Sequence, residues 1–149
     1  MTRVRPEPAA SCIFCAIARR ETAAHTVLER DDVMVFLDYR PLFPGHCLVI
    51  PREHHETLHD LPAALLSPFL EAVQATSRAV IEAMRAEGSF VAMNNTVSQS
   101  VPHLHAHVVP RRRGDGLRGF FWPRHKYAGH EEMDATRDRI RAVLDHAAP

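Results

Sequence analysis

Three histidines stand at alternate positions in His103-Leu104-His105-Ala106-His107, which continues into Val108-Val109-Pro110. In an extended chain alternate side chains share a face, so these imidazoles project together while Leu104, Ala106 and Val108 point the other way, into a core. Imidazole serves as a metal ligand, as a general acid or base, and as a nucleophile towards phosphorus. Three on one rigid strand suit either a single metal ion or a nucleophile with two helpers. The chain has 11 histidines in 149 residues, and at that frequency the spacing arises by chance about 0.06 times against a period-two template. Coincidence is therefore a weak explanation. A strand of three solvated histidines leaves unexplained the Gln99-Ser100 pair before it and the arginine run after it.

A second group is Cys12-x-x-Cys15. Such a pair is half of a zinc site, a redox pair, or an accident. A redox pair belongs after a strand in a thioredoxin-like βαβ pattern, and no strand precedes Cys12, so the redox reading falls behind zinc. Cys47 lies inside an apolar run and reads as a small buried residue. Three cysteines are too few for a disulfide framework, and the odd count fits a reducing compartment.

The elements that must position these groups follow from pattern and punctuation. Residues 12–20 suit a short helix with Cys12 and Cys15 on one side. His25–Glu29 and Val33–Asp38 are β-rich runs separated by an Arg30-Asp31-Asp32 turn. Pro41 and Pro44-Gly45 mark a loop, and His46–Ile50 is a third strand that Pro51 ends. Ser67 before Pro68 predicts a helix start, with Leu61–Leu66 a short turn leading into it. Phe69, Leu70, Val73, Val80, Ile81 and Met84 follow at helical spacing, and Gly88 marks the end. Phe90–Asn94 and His103–Val109 are strands four and five, the latter stopped by Pro110. Glu131–His146 is a final helix carrying Met133, Ile140, Val143 and Leu144. Strands, helix, strands, helix make an α+β fold with a largely antiparallel sheet.

Composition narrows the class. The 18 basic and 18 acidic residues cancel, 46% of residues are hydrophobic and 24% charged, as in ordinary soluble domains. Zero net charge argues against a protein that coats nucleic acid by bulk electrostatics. The length suits one domain over 12–149 after a loose tail at 1–11, which contains Pro6 and Pro8. No apolar run approaches the roughly 18 residues of a membrane span, and the first residues lack a secretory hydrophobic stretch. The expectation is a cytoplasmic protein.

The histidine strand with Gln99-Ser100-Val101 before it resembles the histidine triad (HIT) nucleotide hydrolases and transferases. The likeness extends to Cys12-Ile13-Phe14-Cys15, Phe36-Leu37-Asp38 and Gly45-His46-Cys47-Leu48-Val49-Ile50-Pro51-Arg52-Glu53-His54, in order from about residue 12 to 110. It implies a HIT-like fold: a five-stranded antiparallel sheet with one long helix and a C-terminal helix, a homodimer, and purine nucleotide substrates. In the family's zinc-containing branch the ligands would fall on Cys12, Cys15, His54 and His103, a thiolate and imidazole set suited to a closed structural site. His55 and His59 lie close by as rivals for the third place. The nucleophile would be His105, attacking the α-phosphorus, with His107 on the phosphate or leaving group. Ser100 and Gln99 resemble phosphate-side donors, Asp38 the ribose ligand, and Asn94 or Asn95 the asparagine near the phosphate.

Two features depart from the family pattern. Where many members have a longer glycine-containing loop before Gln-Ser, this chain has only Thr96-Val97-Ser98. The segment 111–130 is basic and aromatic: Arg111, Arg112, Arg113, Arg118, Arg124 and Lys126 interleave with Phe120, Phe121, Trp122 and Tyr127. It reads as a polyphosphate-binding element, a base-stacking or dimer-packing surface, or a solvated loop. The leading function is hydrolysis at the α-phosphate of a purine nucleotide, either a dinucleoside polyphosphate or a nucleoside phosphoramidate, releasing a monophosphate. The alternatives are a nucleotide-binding scaffold with little turnover, which the complete triad opposes, and a hydrolase using zinc-activated water. The separate home that Cys12, Cys15 and His54 offer zinc opposes the latter.

Overall fold

The computed structural model describes residues 11–118 and 124–147. The expected tail at 1–11 lies outside the described residues except for Ser11, as do Phe120, Phe121 and Trp122. The chain divides into two compact units, 1–115 and 116–149.

In the first unit a short helix α1 (Ile13–Ala18) leads to strands β1 (Thr26–Glu29), β2 (Val33–Leu37) and β3 (Cys47–Pro51). A 3-10 turn at Leu58–Asp60 precedes the long helix α2 (Ala63–Ala83), followed by β4 (Gly88–Ala92) and β5 (Ala106–Arg111). The five strands form one sheet in the order β1-β2-β3-β5-β4, every neighbouring pair antiparallel. The expected HIT-like α+β architecture is the one observed.

Period-two alternation gives the sheet two buried faces. Val33, Val35, Cys47, Val49, Ala106 and Val108 pack with Leu104 against Phe69, Ala72, Val73 and Val80 of α2. Met34, Phe36, Leu48 and Ile50 face the opposite way, onto Phe14, Cys15, Ile17 and Ala18 of α1. β2 is consequently a near-continuous apolar run, as strands covered on both faces are. His107 pairs with Leu48 across β3 and β5, which places the histidine side of β5 on the α1 face.

Three boundaries differ from expectation, each for a physical reason. Helix α2 begins at Ala63 behind Pro62, so Pro68 lies inside it rather than in its first turn. A proline there removes only its own N–H to the Ala64 carbonyl, and Ala64 is exposed, so that carbonyl stays solvated. Ser67 does not cap the helix; its hydroxyl reaches Glu71 at 3.0 Å. At the other end α2 stops at Ala83, because Arg85 takes a left-handed φ of 51° and Ala86 N–H bonds back to the Ile81 carbonyl. Glycine usually fills that position; here Gly88 opens β4 instead.

The third difference concerns the histidine segment. β5 starts at Ala106, so His103 and His105 precede the strand, and Pro110 lies within it. Pairing to β3 ends at Val108, so beyond it β5 has only β4 as a neighbour, and a one-sided ladder tolerates proline.

The second unit contains α3 (His130–Ala147). Glu131 and Glu132 lie in its first turn and His146 in its last, the arrangement that complements a helix dipole. Met133, Ile140, Val143 and Leu144 are exposed on it. Among the described residues no helix is long and apolar enough to cross a membrane.

Candidate active site and metal centre

Cys12 precedes α1 as its N-cap, its sulfur accepting from the Cys15 N–H at 3.5 Å. One helical turn therefore places both thiols at the same end of α1. His103 Nδ1 lies 3.5 Å from each sulfur, and His54 Nδ1 lies 3.2 Å from Cys15 Sγ. The four ligand atoms all fall within 4.8 Å of one another. A tetrahedral zinc with S and N ligands has edges of about 3.4–3.8 Å, so the cluster has the size of a metal site. The remaining nitrogen of His103, Nε2, donates to the Pro51 carbonyl at 2.8 Å. That hydrogen bond leaves the Nδ1 lone pair towards the sulfurs, the outer-shell arrangement found on metal-bound histidines.

Burial also shapes the donors. The His103 side chain is fully buried, and burial first, with repulsion from neighbouring histidines behind it, pushes its pKa down to about 4. It is thus neutral, as a ligand must be. Burial and the adjacent Cys12 push the Cys15 thiol up to about 11; two thiols side by side resist ionisation unless a cation compensates. The residues fit zinc. His55 points elsewhere, its Nε2 buried without a hydrogen bond among the described residues and 3.7 Å from Glu53 Oε2. His59 sits on the 3-10 turn.

His105 is buried, and its Nδ1–H donates to the His103 carbonyl at 2.7 Å. A neutral imidazole with Nδ1 as donor keeps its lone pair on Nε2. Its ring centroid lies 5.0 Å from that of His107. His107 in turn meets a residue not singled out by the sequence: His46 Nε2 lies 2.9 Å from His107 Nδ1. The Leu42 N–H donates to His46 Nδ1 at 3.1 Å, so the neutral His46 carries its proton on Nε2 and donates to His107. His107 must then hold its own proton on Nε2. A single backbone amide sets the tautomers of two rings.

His46 owes its place to the loop before β3. Its N–H bonds the Phe43 carbonyl and its carbonyl accepts from Asp38 N–H. Gly45 has φ +96°, and a Cβ there would come within 2.6 Å of Met84 Cγ, so only glycine allows this turn against α2. The signal available in sequence was a histidine directly after Pro-Gly and directly before the apolar run Cys47–Ile50. Burial lowers the His46 pKa despite the carboxylate of Asp38 at 3.7 Å. The His107 pKa falls to about 4, from burial first and from His105 and His46 next.

The other expected residues occupy the rim. Asp38 faces His46 and accepts from the Arg40 N–H at 2.9 Å. Asn95 Oδ1 accepts from Leu58 N–H at 2.8 Å, whereas Asn94 is exposed and donates to the Ser98 carbonyl. Gln99 ties its loop down, accepting from Thr96 N–H and donating to the Glu56 carbonyl. Ser100 is exposed beside it. Thr96 and Ser98 both adopt left-handed φ, 73° and 61°, a strained route for a short loop without glycine.

The basic run is tied into the fold. Arg111 makes a bidentate pair with Asp115 at 2.5 and 2.9 Å. Arg112 donates to the Met84 carbonyl, and Arg113 N–H reaches Glu87 at 3.0 Å. Arg111 also stands at the end of β5, four residues or about 13 Å beyond His107 at strand rise. Tyr127 is 54% exposed.

Comparison with known proteins agrees with this geometry. The sequence model of the HIT domain matches residues 19–114. The adenylylsulfatase HINT3 of Arabidopsis thaliana is 32% identical over 108 residues, 71% of this chain and 55% of that protein. The adenosine 5'-monophosphoramidase HNT1 of Saccharomyces cerevisiae is 34% identical over 105 residues, 69% of this chain and 64% of that protein. The crystal structure of a Zn-bound histidine triad family protein from Mycobacterium smegmatis superposes with a TM-score of 0.70 at 35% identity, covering 95% of this chain and 100% of that one. Matched by the family model over all five strands and similar in fold to solved members, the chain belongs to the HIT domain family.

Proposed function

We propose that the protein hydrolyses purine nucleotides at the α-phosphate through a nucleotidyl-histidine on His105, releasing a nucleoside monophosphate. The observation that carries this reading is the Nε2 lone pair of His105, left free because Nδ1–H is bound to the His103 carbonyl at 2.7 Å. Attack forms an N–P bond and breaks the bond from phosphorus to the leaving group. Water then attacks the same phosphorus and returns His105 to its starting state. His107, donor on Nε2 by virtue of His46, hydrogen-bonds the phosphate or the leaving atom. Sulfate or phosphate leaves as an anion. An amine leaves with a proton taken from solvent, because His107 already accepts the His46 N–H on Nδ1 and keeps its own proton on Nε2.

Asp38 takes the ribose hydroxyls. Asn94 or Asn95 takes the phosphate-side role: Asn94 donates to the Ser98 carbonyl, and Asn95 accepts from Leu58 N–H through Oδ1. Ser100 donates to the phosphate, and Gln99 holds the loop that presents it. Such preorganised donors supply most of the stabilisation phosphoryl transfer needs. Adenosine phosphoramidates and adenylylated conjugates are the favoured substrates: the relatives of named activity act on an adenylyl sulfate and a phosphoramidate. Asp115 holds the Arg111 guanidinium and the Met84 carbonyl that of Arg112, which weakens the case for a long phosphate chain. Cys12, Cys15, His54 and His103 would hold zinc, which would cross-link α1 to the segments that follow β3 and precede β5. The protein is a homodimer; β4 is an edge strand with Val91 exposed, a ready partner for a second copy.

The deciding experiment incubates the protein with adenosine phosphoramidate, adenylyl sulfate and diadenosine polyphosphates, then quenches in acid and maps adducts by mass spectrometry. An acid-labile AMP adduct on His105 is the expected result. Turnover without any adduct, or an adduct elsewhere, overturns the reading.

A further inference from the structure

The segment that carries the nucleophile belongs to no strand. Pairing between β3 and β5 begins at Val49 with Ala106, and between β4 and β5 at Ala92 with His107. His103, Leu104 and His105 therefore precede the ladder. Their backbone is held by Leu104 N–H to the His55 carbonyl at 2.7 Å and His103 N–H to the Val101 carbonyl at 2.8 Å. The side chain of His103 holds it too, through Pro51 on one nitrogen and the two sulfurs on the other.

Two separate paths run from the metal ligands to the ring of His105. The first is His103 itself, whose ring faces the thiols while its carbonyl accepts the His105 Nδ1–H. The second is Phe14, which lies between Cys12 and Cys15 on α1. Its ring meets His105 edge-on at 5.1 Å and 81°, His103 at 5.8 Å and 77°, and Phe36 at 5.4 Å. One path sets the tautomer and rotation of the nucleophile, and the other closes the space beside it. α1 is only six residues long, too short to be stable alone. Its C-terminal end is anchored by Arg52, which donates to the Ala18 carbonyl at 3.1 Å. Its N-terminal end, with Cys12 and Phe14, depends on the sulfur cluster.

We propose that the Cys12/Cys15/His54/His103 centre, acting through Phe14 and the His103 carbonyl, positions the ring of His105, so that metal occupancy controls turnover as well as stability. This rests on the assignment of zinc to that cluster and of nucleophile to His105. Phe14 is a positioning residue in this scheme: it holds the imidazole at its attack distance, where a misplacement of about 1 Å can cost two orders of magnitude.

The test compares three forms of the full chain: zinc-loaded, chelator-stripped, and zinc-loaded Phe14→Leu. Zinc content, hydrogen exchange of the sheet amides, KM, kcat and the ring nitrogen resonances of His105 are measured on each. Stripping should lower kcat by about tenfold or more with KM within about twofold. The His105 resonances should move from a single Nδ1–H tautomer to an average of two, and zinc should restore both. Phe14→Leu, which keeps every ligand, should retain its zinc while kcat falls severalfold at unchanged KM. If stripping exposes the sheet amides to exchange, Phe14→Leu decides alone. Unchanged kcat and an unchanged tautomer overturn the proposal. Wild-type protein that carries no zinc, or forms no adduct on His105, overturns the underlying assignment and this proposal together.

Discussion

Cys12/Cys15/His54/His103 and Asp38/His46/His107 are both clusters whose ligand-type atoms lie within 4.8 Å of one another. By residue type the second resembles a two-histidine, one-carboxylate metal site. The far nitrogens separate them. His103 gives its outer N–H to the Pro51 carbonyl and so turns a lone pair inward. His46 receives the Leu42 N–H on its outer nitrogen and so turns a proton inward, onto His107. A cation at the second cluster would need the lone pair that the Leu42 amide denies it. The donors of one group suit a metal, and those of the other suit a hydrogen-bond relay. The partner of the distant nitrogen decides metal chemistry, more than the composition of the cluster does.

The largest expected effect comes from a residue between the two groups. His105→Asn should bind nucleotide, retain zinc, and lose at least about a thousandfold in turnover, roughly 4 kcal/mol of transition-state stabilisation. Steady-state kinetics with metal analysis checks this, and near-wild-type hydrolysis would return zinc-activated water to consideration.

Breaking each cluster separately should give signatures that differ in zinc content and stability. Cys12→Ala should empty the metal centre and lower stability by about 3 kcal/mol, the contribution of a ligand held at some hundredfold above its Kd, or on the order of 10 °C in Tm. His46→Ala should leave one zinc per chain in place and reduce kcat by about 10- to 100-fold, near 2 kcal/mol, because His107 loses the donor that sets its tautomer. A second tightly bound zinc in the wild type, abolished by His46→Ala, would break the comparison.

Acid should report the relay more gently. The His107 pKa is pushed down to about 4 by burial, then by His105 and His46, against an ordinary value near 6.5. The unfolded chain takes up this proton first, so stability from His107 is complete above about pH 6.5 and is lost as pH falls towards 4. The bound is about 3 kcal/mol at 1.36 kcal/mol per pH unit, and partial solvent access reduces it to about 1–2. Denaturant titrations between pH 7 and 4.5 should show wild type losing more stability than His107→Asn; equal slopes would remove His107 as the buried neutral ring.

Much of this protein is written in local pattern. The apolar, β-rich runs Val33–Phe36 and Cys47–Ile50, with the turn at Arg30-Asp31-Asp32, identify strands, because such runs bounded by turn residues suit buried extended backbone. The order of elements followed, and with it a largely antiparallel sheet; the family resemblance rested on the triad and its flanking motifs. The spacing of Cys12, Cys15 and the three histidines marked the chemistry. Ser67-Pro68 misled because a capping signal is worth only about 1 kcal/mol, and α2 already runs from Ala63 behind Pro62.

Tertiary structure alone decided the rest. Sequence named the histidines, but which nitrogen of each carries a proton depends on Pro51, Leu42 and the His103 carbonyl, partners that are remote in the chain or set by a loop turn. It also placed His46 beside His107, 61 residues apart, and moved His103 and His105 off the strand that their spacing suggested. Residue type and period are carried by neighbours in the chain. Hydrogen-bond direction is carried by neighbours in space, and those exist only after the sheet has formed.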